Sequence, residues 1–387
     1  MMKSFNMYIP TRVYFGEGAI KDLNIEIKKY GNRVLMVYGH GSIKRNGIYE
    51  DVMAAFELGD ITYVELSGVD VNPRLVTVNE GVRLCLSEGI DLILAVGGGS
   101  AIDCAKAIAA SVYYAGDPWE LVTYKTKIQK AMPLGVVLTL SATGSELNGN
   151  AVISNMQLKE KRGFSSEWMW PKFSILDPTY TYTVSQHQTA CGIVDTLTHL
   201  YEFYFSAKDE AELSDAMSEA VMATVIKYGK KAMTEPDNYE ARSNLMWASA
   251  VALSGMTNRG KTFEGFNHAV EHGLSAIYDI THADGLAILA PYWMEYVLDE
   301  KNVIRFARFA RKVWGIVGED DMKVAKKGIE RTRRYYEYLE MPSKLSHLKI
   351  DDARFDEVID HAFLGETVGH LKALRKQDVR RILEAAL

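Results

Sequence analysis

The sequence predicts two successive domains. The first is an α/β domain with a Rossmann-like parallel sheet over residues 1–183, and the second is all-helical over 184–387. Three observations lead there. The chain has 387 residues, more than one ordinary domain and enough for two cores. Its first 180 or so residues alternate short β-branched runs with amphipathic helical stretches, the rhythm of a parallel sheet covered by helices on both faces. After Asp177-Pro178 the strand runs stop and only helical periodicity remains.

Each element has its own signal. Thr11–Phe15 reads as a strand and Glu17–Tyr30 as a helix stopped by Gly31. RVLMVY (Arg33–Tyr38) is a strand, followed by a glycine-rich turn and a helix over about Ile43–Phe56. Ile61–Leu66 is a strand, and Asn72-Pro73 offers an N-cap and a first-turn proline for a helix to about Glu88. DLILAV (Asp91–Val96) is a continuous apolar run, as a strand buried on both faces requires. Gly97-Gly98-Gly99-Ser100 breaks it and opens another helix to about Val112. Leu134–Leu140 and Phe173–Leu176 supply the later strands. Helices then cover about Gly192–Phe205, Glu212–Met233, Tyr239–Met256, Phe263–Tyr278 and Asp284–Leu298, with more beyond.

Composition narrows the function. A net charge of −6 argues against nucleic acid or an anionic membrane as partner. Basic runs such as Arg331–Arg334 are scattered along helices and read as solvated faces. Cys85, Cys104 and Cys191 are far apart and set in apolar helical context, so they read as reduced packing residues. The N-terminus has no apolar signal core and no run approaches membrane-spanning length. The cytoplasm is the expected compartment.

Chemistry concentrates in the second half. Asp195 and His199 sit four apart in GIVDTLTHLYEFY, so both side chains leave one helix face. His268, His272 and His282 follow in NHAVEHGLSAIYDITHADG. A lone histidine is usually a core or capping residue. Four of the nine histidines in two short segments, with an acid one turn before one of them, point to a metal instead. One carboxylate and three imidazoles suit Fe2+ or Zn2+ and leave a position free for a substrate oxygen.

Three turns in the first half could hold a dinucleotide. In AVGGGSAIDCAKAIA, glycines let the backbone approach a pyrophosphate and the following helix offers free N–H groups. Ser100 and Asp103 also make an S-x-x-D pattern, so Asp103 could simply cap the helix. VYGHGSIKRNG follows the second strand, where an acid usually accepts the adenosine ribose hydroxyls. Gly39, His40, Gly41 and Ser42 stand there instead, with Lys44 and Arg45 beyond. LTLSATGSELNGNAVIS could place Thr139, Thr143, Ser145 and Asn148 around a cofactor, or be a polar turn.

The order GGGSxxDxxK, TLxATGSE, D-x3-H, then H-x3-H-x9-H resembles the iron-containing alcohol dehydrogenase family over essentially the whole chain. It looks closest to the branch of NAD(P)H-dependent butanol dehydrogenases and broad aldehyde reductases. The resemblance implies a dehydroquinate synthase-like architecture, a dinucleotide-binding domain followed by a helical metal-binding domain. It implies that Asp195, His199, His268 and His282 hold one Fe2+ or Zn2+, with His272 beside them near the nicotinamide. Gly98, Gly99, Ser100 and Asp103 would line the pyrophosphate and nicotinamide ribose, and Thr139, Thr143, Ser145, Asn148 and Lys161 would add further contacts. Absence of an acid at Gly39, with Gly41 and Ser42 in the same turn, suggests NADP(H) over NAD(H).

The implied reaction interconverts aldehydes and primary alcohols: a metal polarises the carbonyl oxygen, the nicotinamide carries hydride, and His272 is the candidate proton relay. A cleft between the domains is the natural place for it, and a homodimer acting on small aldehydes or alcohols is expected. The alternatives are a glycerol or polyol dehydrogenase of the same superfamily, a dehydroquinate synthase-type lyase, and a non-catalytic metal-binding structural protein.

Overall fold

The computed structural model describes residues 2–206 and 210–387. Among them are eight strands: β1 (Arg12–Phe15), β2 (Arg33–Val37), β3 (Thr62–Leu66), β4 (Leu92–Gly97), β5 (Leu134–Leu138), β6 (Asn150–Asn155), β7 (Glu160–Ser165) and β8 (Phe173–Leu176). The helices of the first half are α1 (Leu23–Lys28), α2 (Ile48–Gly59), α3 (Leu75–Glu88), α4 (Gly99–Ser111) and α5 (Pro118–Val122). Those of the second half are α6 (Gln186–Tyr204), α7 (Glu212–Thr234), α8 (Tyr239–Leu253), α9 (Phe266–Tyr278), α10 (His282–Val297), α11 (Val303–Trp314), α12 (Asp321–Tyr338), α13 (Phe355–Ala362) and α14 (Lys376–Ala385).

Six strands form one sheet in the order β1-β8-β5-β4-β2-β3, every pair parallel. Alternation sorts the side chains into two layers. Leu35 and Val37 of β2 and Ile93 and Ala95 of β4 join α3, α4 and α5 on one face. Val34 and Met36, with Leu92 and Leu94, face α1 and α2 on the other. Two-sided burial explains why β4 is apolar at every position.

Two of the departures of this half from the sequence reading bear on the site. Asn72 and Pro73 do not start α3; its N-cap is Arg74. The Pro73 carbonyl instead accepts a hydrogen bond from Ser154 N at 2.8 Å, and Arg74 bridges to Ser154. That tie holds the second departure, the antiparallel hairpin β6–β7, for which the sequence reading gave no strands. Of its polar residues, Asn150, Glu160, Arg162 and Ser165 are exposed or half-buried, whereas Ser154, Asn155 and Lys161 are buried. Ala151, Ile153 and Phe164 join the core.

The chain divides into two compact units. One is Tyr8–Val184 with Glu235–Ala250, and the other is Met1–Met7, Ser185–Thr234 and Val251–Leu387. This grouping differs from the contiguous scheme 1–183 and 184–387 at two segments, Met1–Met7 and Glu235–Ala250. Glu235–Ala250 groups with the sheet because Met246 and Ala250 of α8 are buried in its core cluster. Trp247 also packs edge-on against Phe15, with ring centroids 5.8 Å apart. The helical unit is centred on aromatic side chains: Phe205 stacks on Phe306 at 4.4 Å and meets Trp293 and Phe309 edge-on. Among the described residues no helix is long and apolar enough to cross a membrane.

Gly135 in β5 is a packing requirement, since a Cβ there would stand 2.2 Å from the Phe173 ring on the neighbouring strand. Gly135→Ala should therefore cost about 1–3 kcal/mol through overpacking. The check is the thermal unfolding midpoint, which should fall while the circular dichroism of the folded state is kept.

Candidate metal centre and dinucleotide turn

The histidine cluster is built from three helices of one unit. Ser185 caps α6 by accepting from Gln188 N, so the helix begins six residues earlier than its apolar pattern suggests. It presents Asp195, His199 and Glu202 on one face. Asp195 is the hub: its Oδ1 lies 3.4 Å from His199 Nε2 and 3.8 Å from His282 Nε2. Asp195, His268 and His282 offer ligand atoms all within 4.8 Å of one another. His199 stands against this trio with its ring stacked on His268, centroids 4.2 Å apart. His272, one turn along α9 from His268, is partly exposed and lies 5.7 Å ring to ring from His282. His282 is the first residue of α10, not part of a helix continuous with His268.

Two carboxylates orient these rings. Glu202 has no exposure and accepts from His268 Nδ1 at 3.3 Å, from Asn267 N at 2.9 Å, from His268 N at 3.3 Å and from Gly265 N. It thus caps the N-terminus of α9 from a different helix, where free amides favour an anion. Glu271, also without exposure, bonds His282 Nδ1 and accepts from Ser275 Oγ. With each Nδ1 committed to a carboxylate, each Nε2 is turned inward, the arrangement that fixes imidazole ligands in metal sites.

The electrostatics suit a cation. Burial, then the neighbouring imidazoles, hold His199 well below the usual histidine range, which favours its neutral form, the one in which an imidazole can take a metal. Burial opposes charge on His268 too, but the Glu202 hydrogen bond and the carboxylates of Glu202, Asp195 and Glu271 outweigh it and raise its pKa. The pocket therefore attracts positive charge. Among the described residues His268 Nε2 is buried without a hydrogen-bond partner, which a divalent metal beside Asp195 and His282 would supply. The donor set fits the metal.

In the sheet unit, β4 runs into α4 through Gly98, its N-cap. Side chains are excluded here by close approach: a Cβ on Gly98 would meet Leu140 at 3.0 Å and one on Gly99 would meet Thr143 at 2.7 Å. The 139–148 segment thus folds directly over the turn. Thr139 N donates to Gly97 O, and Thr143 Oγ1 accepts from Ser145 N. Ser100 Oγ donates to Val71 O at 2.6 Å. Asp103 is not a helix cap; it accepts from Ser145 Oγ at 2.7 Å and from Val152 N at 2.9 Å. Asn148 Nδ2 donates to Gly144 O, and Lys161 is buried on β7 across from Ser154.

What holds this loop was missed in the sequence. Lys106, with no exposure, donates to Ser145 O, Ser145 Oγ, Asn148 Oδ1 and Asn150 O at 2.6–3.1 Å. Burial lowers its pKa to about 8 against the attraction of Asp103 and Glu146. Its only sequence signal was the K of GGGSxxDxxK. The turn after β2 carries its own contacts. Lys44 donates to Glu65 Oε2 at 2.7 Å and lies over the Tyr49 ring. An acid does stand nearby: Asp70 Oδ1 is 3.0 Å from His40 Nε2. Gly41 has φ +83 and opens a short 3-10 turn over Ser42–Lys44, while Gly39 O accepts from Gly68 N.

Residues 10–178 match the family described as iron-containing alcohol dehydrogenase, and residues 189–387 match the C-terminal part of the Fe-containing alcohol dehydrogenase family. The chain belongs to the iron-containing alcohol dehydrogenase family. It is 49% identical to NADH-dependent butanol dehydrogenase A of Clostridium acetobutylicum over 99% of both chains. It is 37% identical to the NADPH-dependent aldehyde reductase YqhD of Escherichia coli over the full length of both. Its fold matches the crystal structure of NADH-dependent butanol dehydrogenase A from Thermotoga maritima with a TM-score of 0.95 at 41% identity, covering 100% of this chain and 99% of that one. The chain is thus a metal-dependent enzyme that interconverts aldehydes and alcohols with a nicotinamide cofactor.

If Glu202 and Glu271 aim the ligand rings, Glu202→Gln and Glu271→Gln should each weaken metal binding by ~10- to 100-fold. Chelator competition on the purified variants measures this directly; unchanged affinity would show that helix packing alone orients His268 and His282.

Proposed function

We propose that the chain reduces small unbranched aldehydes to primary alcohols, with one Fe2+ or Zn2+ held by Asp195, His199, His268 and His282. The observation that carries this reading is the convergence of Asp195, His268 and His282 around the unpartnered His268 Nε2. The names of relatives over full length, butanol dehydrogenase and aldehyde reductase, support the substrate class. When bound, the metal supplies Lewis acidity toward a carbonyl oxygen and the nicotinamide supplies the hydride. The protein does the rest. Glu202 and Glu271 keep the imidazoles in the donating tautomer, and the buried setting of Asp195 strengthens every charge interaction in the pocket. His272, beside His282 and partly exposed, passes a proton between solvent and the forming alcohol at its ring nitrogen. The fold over the α4 turn presents helix amides to the cofactor's pyrophosphate, with Lys106 holding Ser145 and Asn148 in place.

For the cofactor, we infer NADPH over NADH from Gly39 and Ser42, where no acid repels a 2′-phosphate. A second reading, NADH, is favoured by Asp70 at the edge of the same turn and by the engagement of Lys44 with Glu65. Two relatives, 49% and 46% identical, are named NADH-dependent.

Removing the metal, or His282→Ala, should abolish turnover, whereas His272→Ala should keep its metal and lose rate with an altered pH profile. Metal content alongside butanal reduction measures both, and full activity of a metal-free preparation sinks the reading. Comparing kcat/KM for the two cofactors separates the remaining alternatives. Under the first, the unmodified protein prefers NADPH by about 10- to 100-fold, and Gly39→Asp reverses this. Under the second, NADH is preferred and Asp70→Asn moves the ratio toward NADPH.

A further inference from the structure

Two turns before the Asp195–His199 pair, about 12 Å along the helix axis, α6 carries a second set of donor side chains that the reaction does not use. His187 and Cys191 are four apart and therefore on the same face as Asp195 and His199. Across from them stands Asp284, in the first turn of α10. The three offer ligand atoms within 4.8 Å of one another. Cys191 Sγ is 3.6 Å from His187 Nε2, and Asp284 Oδ1 is 3.7 Å from the same nitrogen.

As a plain ion pair or hydrogen-bonded cluster this set is poorly satisfied. One imidazole nitrogen carries at most one proton, yet His187 Nε2 faces both the sulfur and the carboxylate. Asp284 is 8% exposed, and among the described residues its Oδ1 is buried without a hydrogen-bond partner. Leaving a carboxylate oxygen in that state is costly. Around a cation the same geometry is satisfied. Zn2+ held at about 2.3 Å from sulfur and about 2.0–2.1 Å from nitrogen separates those two donors by about 3.6 Å in a tetrahedron. The half-exposed His187 side chain provides the way in.

We propose that His187, Cys191 and Asp284 form a second divalent-metal site, selective for Zn2+ over Fe2+ or Mg2+, with its fourth position open to water. The sulfur sets the selectivity: a thiolate ligand favours Zn2+, whereas the first cluster offers only nitrogen and oxygen. Binding forms an Sγ–metal bond and breaks the S–H bond of Cys191, whose proton leaves to solvent, with no change of oxidation state. The occupied site clamps the first turn of α10 to α6, and His282 is part of that turn. It is distinct from the reaction centre and shares none of its donors.

Cobalt substitution tests this, because only a thiolate ligand yields a sulfur-to-cobalt charge-transfer band in the near ultraviolet. The other two cysteines, Cys85 and Cys104, are buried in the sheet unit and join no ligand cluster among the described residues. Full-length protein titrated with Co2+ should show this band together with a second metal equivalent per chain, and Zn2+ should displace both. Cys191→Ser should remove the band, and His187→Ala, at a half-exposed position that leaves packing alone, should weaken uptake of the second equivalent at least ~10-fold. Asp195→Asn, which disables the first cluster, should leave the band in place, so failure of the reaction-centre assignment and failure of this one are read separately. No band in the unmodified protein, a band that survives Cys191→Ser, or uptake unaffected by His187→Ala would each overturn the second site.

Discussion

A carboxylate taken fully out of water costs several kcal/mol unless its oxygens are matched by donors or positive charge, and the helical unit buries Glu202 and Glu271 beside Asp195. Most of the local architecture answers that demand. Gly265, Asn267 and His268 turn their amides to Glu202, which sets where α9 begins. Ser275 and His282 turn to Glu271, and Gly285 leaves it room, since a Cβ there would stand 2.8 Å from Glu271 Cγ. The turn between α9 and α10, with Asp279 in the left-handed region, brings His282 back beside His268, which an unbroken helix would leave about 21 Å further along its axis.

The sheet unit solves the opposite problem, a buried cation. Lys106 sits inside α4 with its ammonium aimed at three carbonyl or amide oxygens and one hydroxyl of the 145–150 segment. Asp103, one turn earlier, grips the same segment through Ser145 Oγ and Val152 N. The loop over the glycine turn is thus fastened to α4 at two points.

Much of this was legible in the sequence, and the limits follow from locality. DLILAV betrays β4 because a strand buried on both faces needs no polar residue, and FSIL marks β8 to the residue. The i,i+4 spacing of Asp195 and His199 reports a shared face whatever surrounds it. Polar strands β6 and β7 left no such trace, since they pair with each other and take their place from Pro73, far back in the chain. Glu202, Glu271 and Lys106 look like ordinary surface charges in amphipathic helices. Glu202 meets its partners 63 to 66 residues away and Lys106 meets its own 39 to 44 away, and no window of local sequence contains such contacts. In hindsight the H-x2-E spacing of His199 with Glu202 and of His268 with Glu271 was a usable clue.

The exchange of residues 235–250 between units has a consequence for how the chain comes into being. All strands of the sheet lie before residue 177, yet Met246 and Ala250 belong to its core. During synthesis at roughly 5–20 residues per second, the nascent sheet must wait on the order of seconds with that apolar patch uncovered. Through that interval α6 and α7 emerge, the first already bearing Asp195 and His199 while His268 and His282 are still unmade. A vectorial order is thereby imposed: the sheet unit closes its core only after α6 and α7 have been made, and a cut at residue 184 would part the sheet from residues it buries.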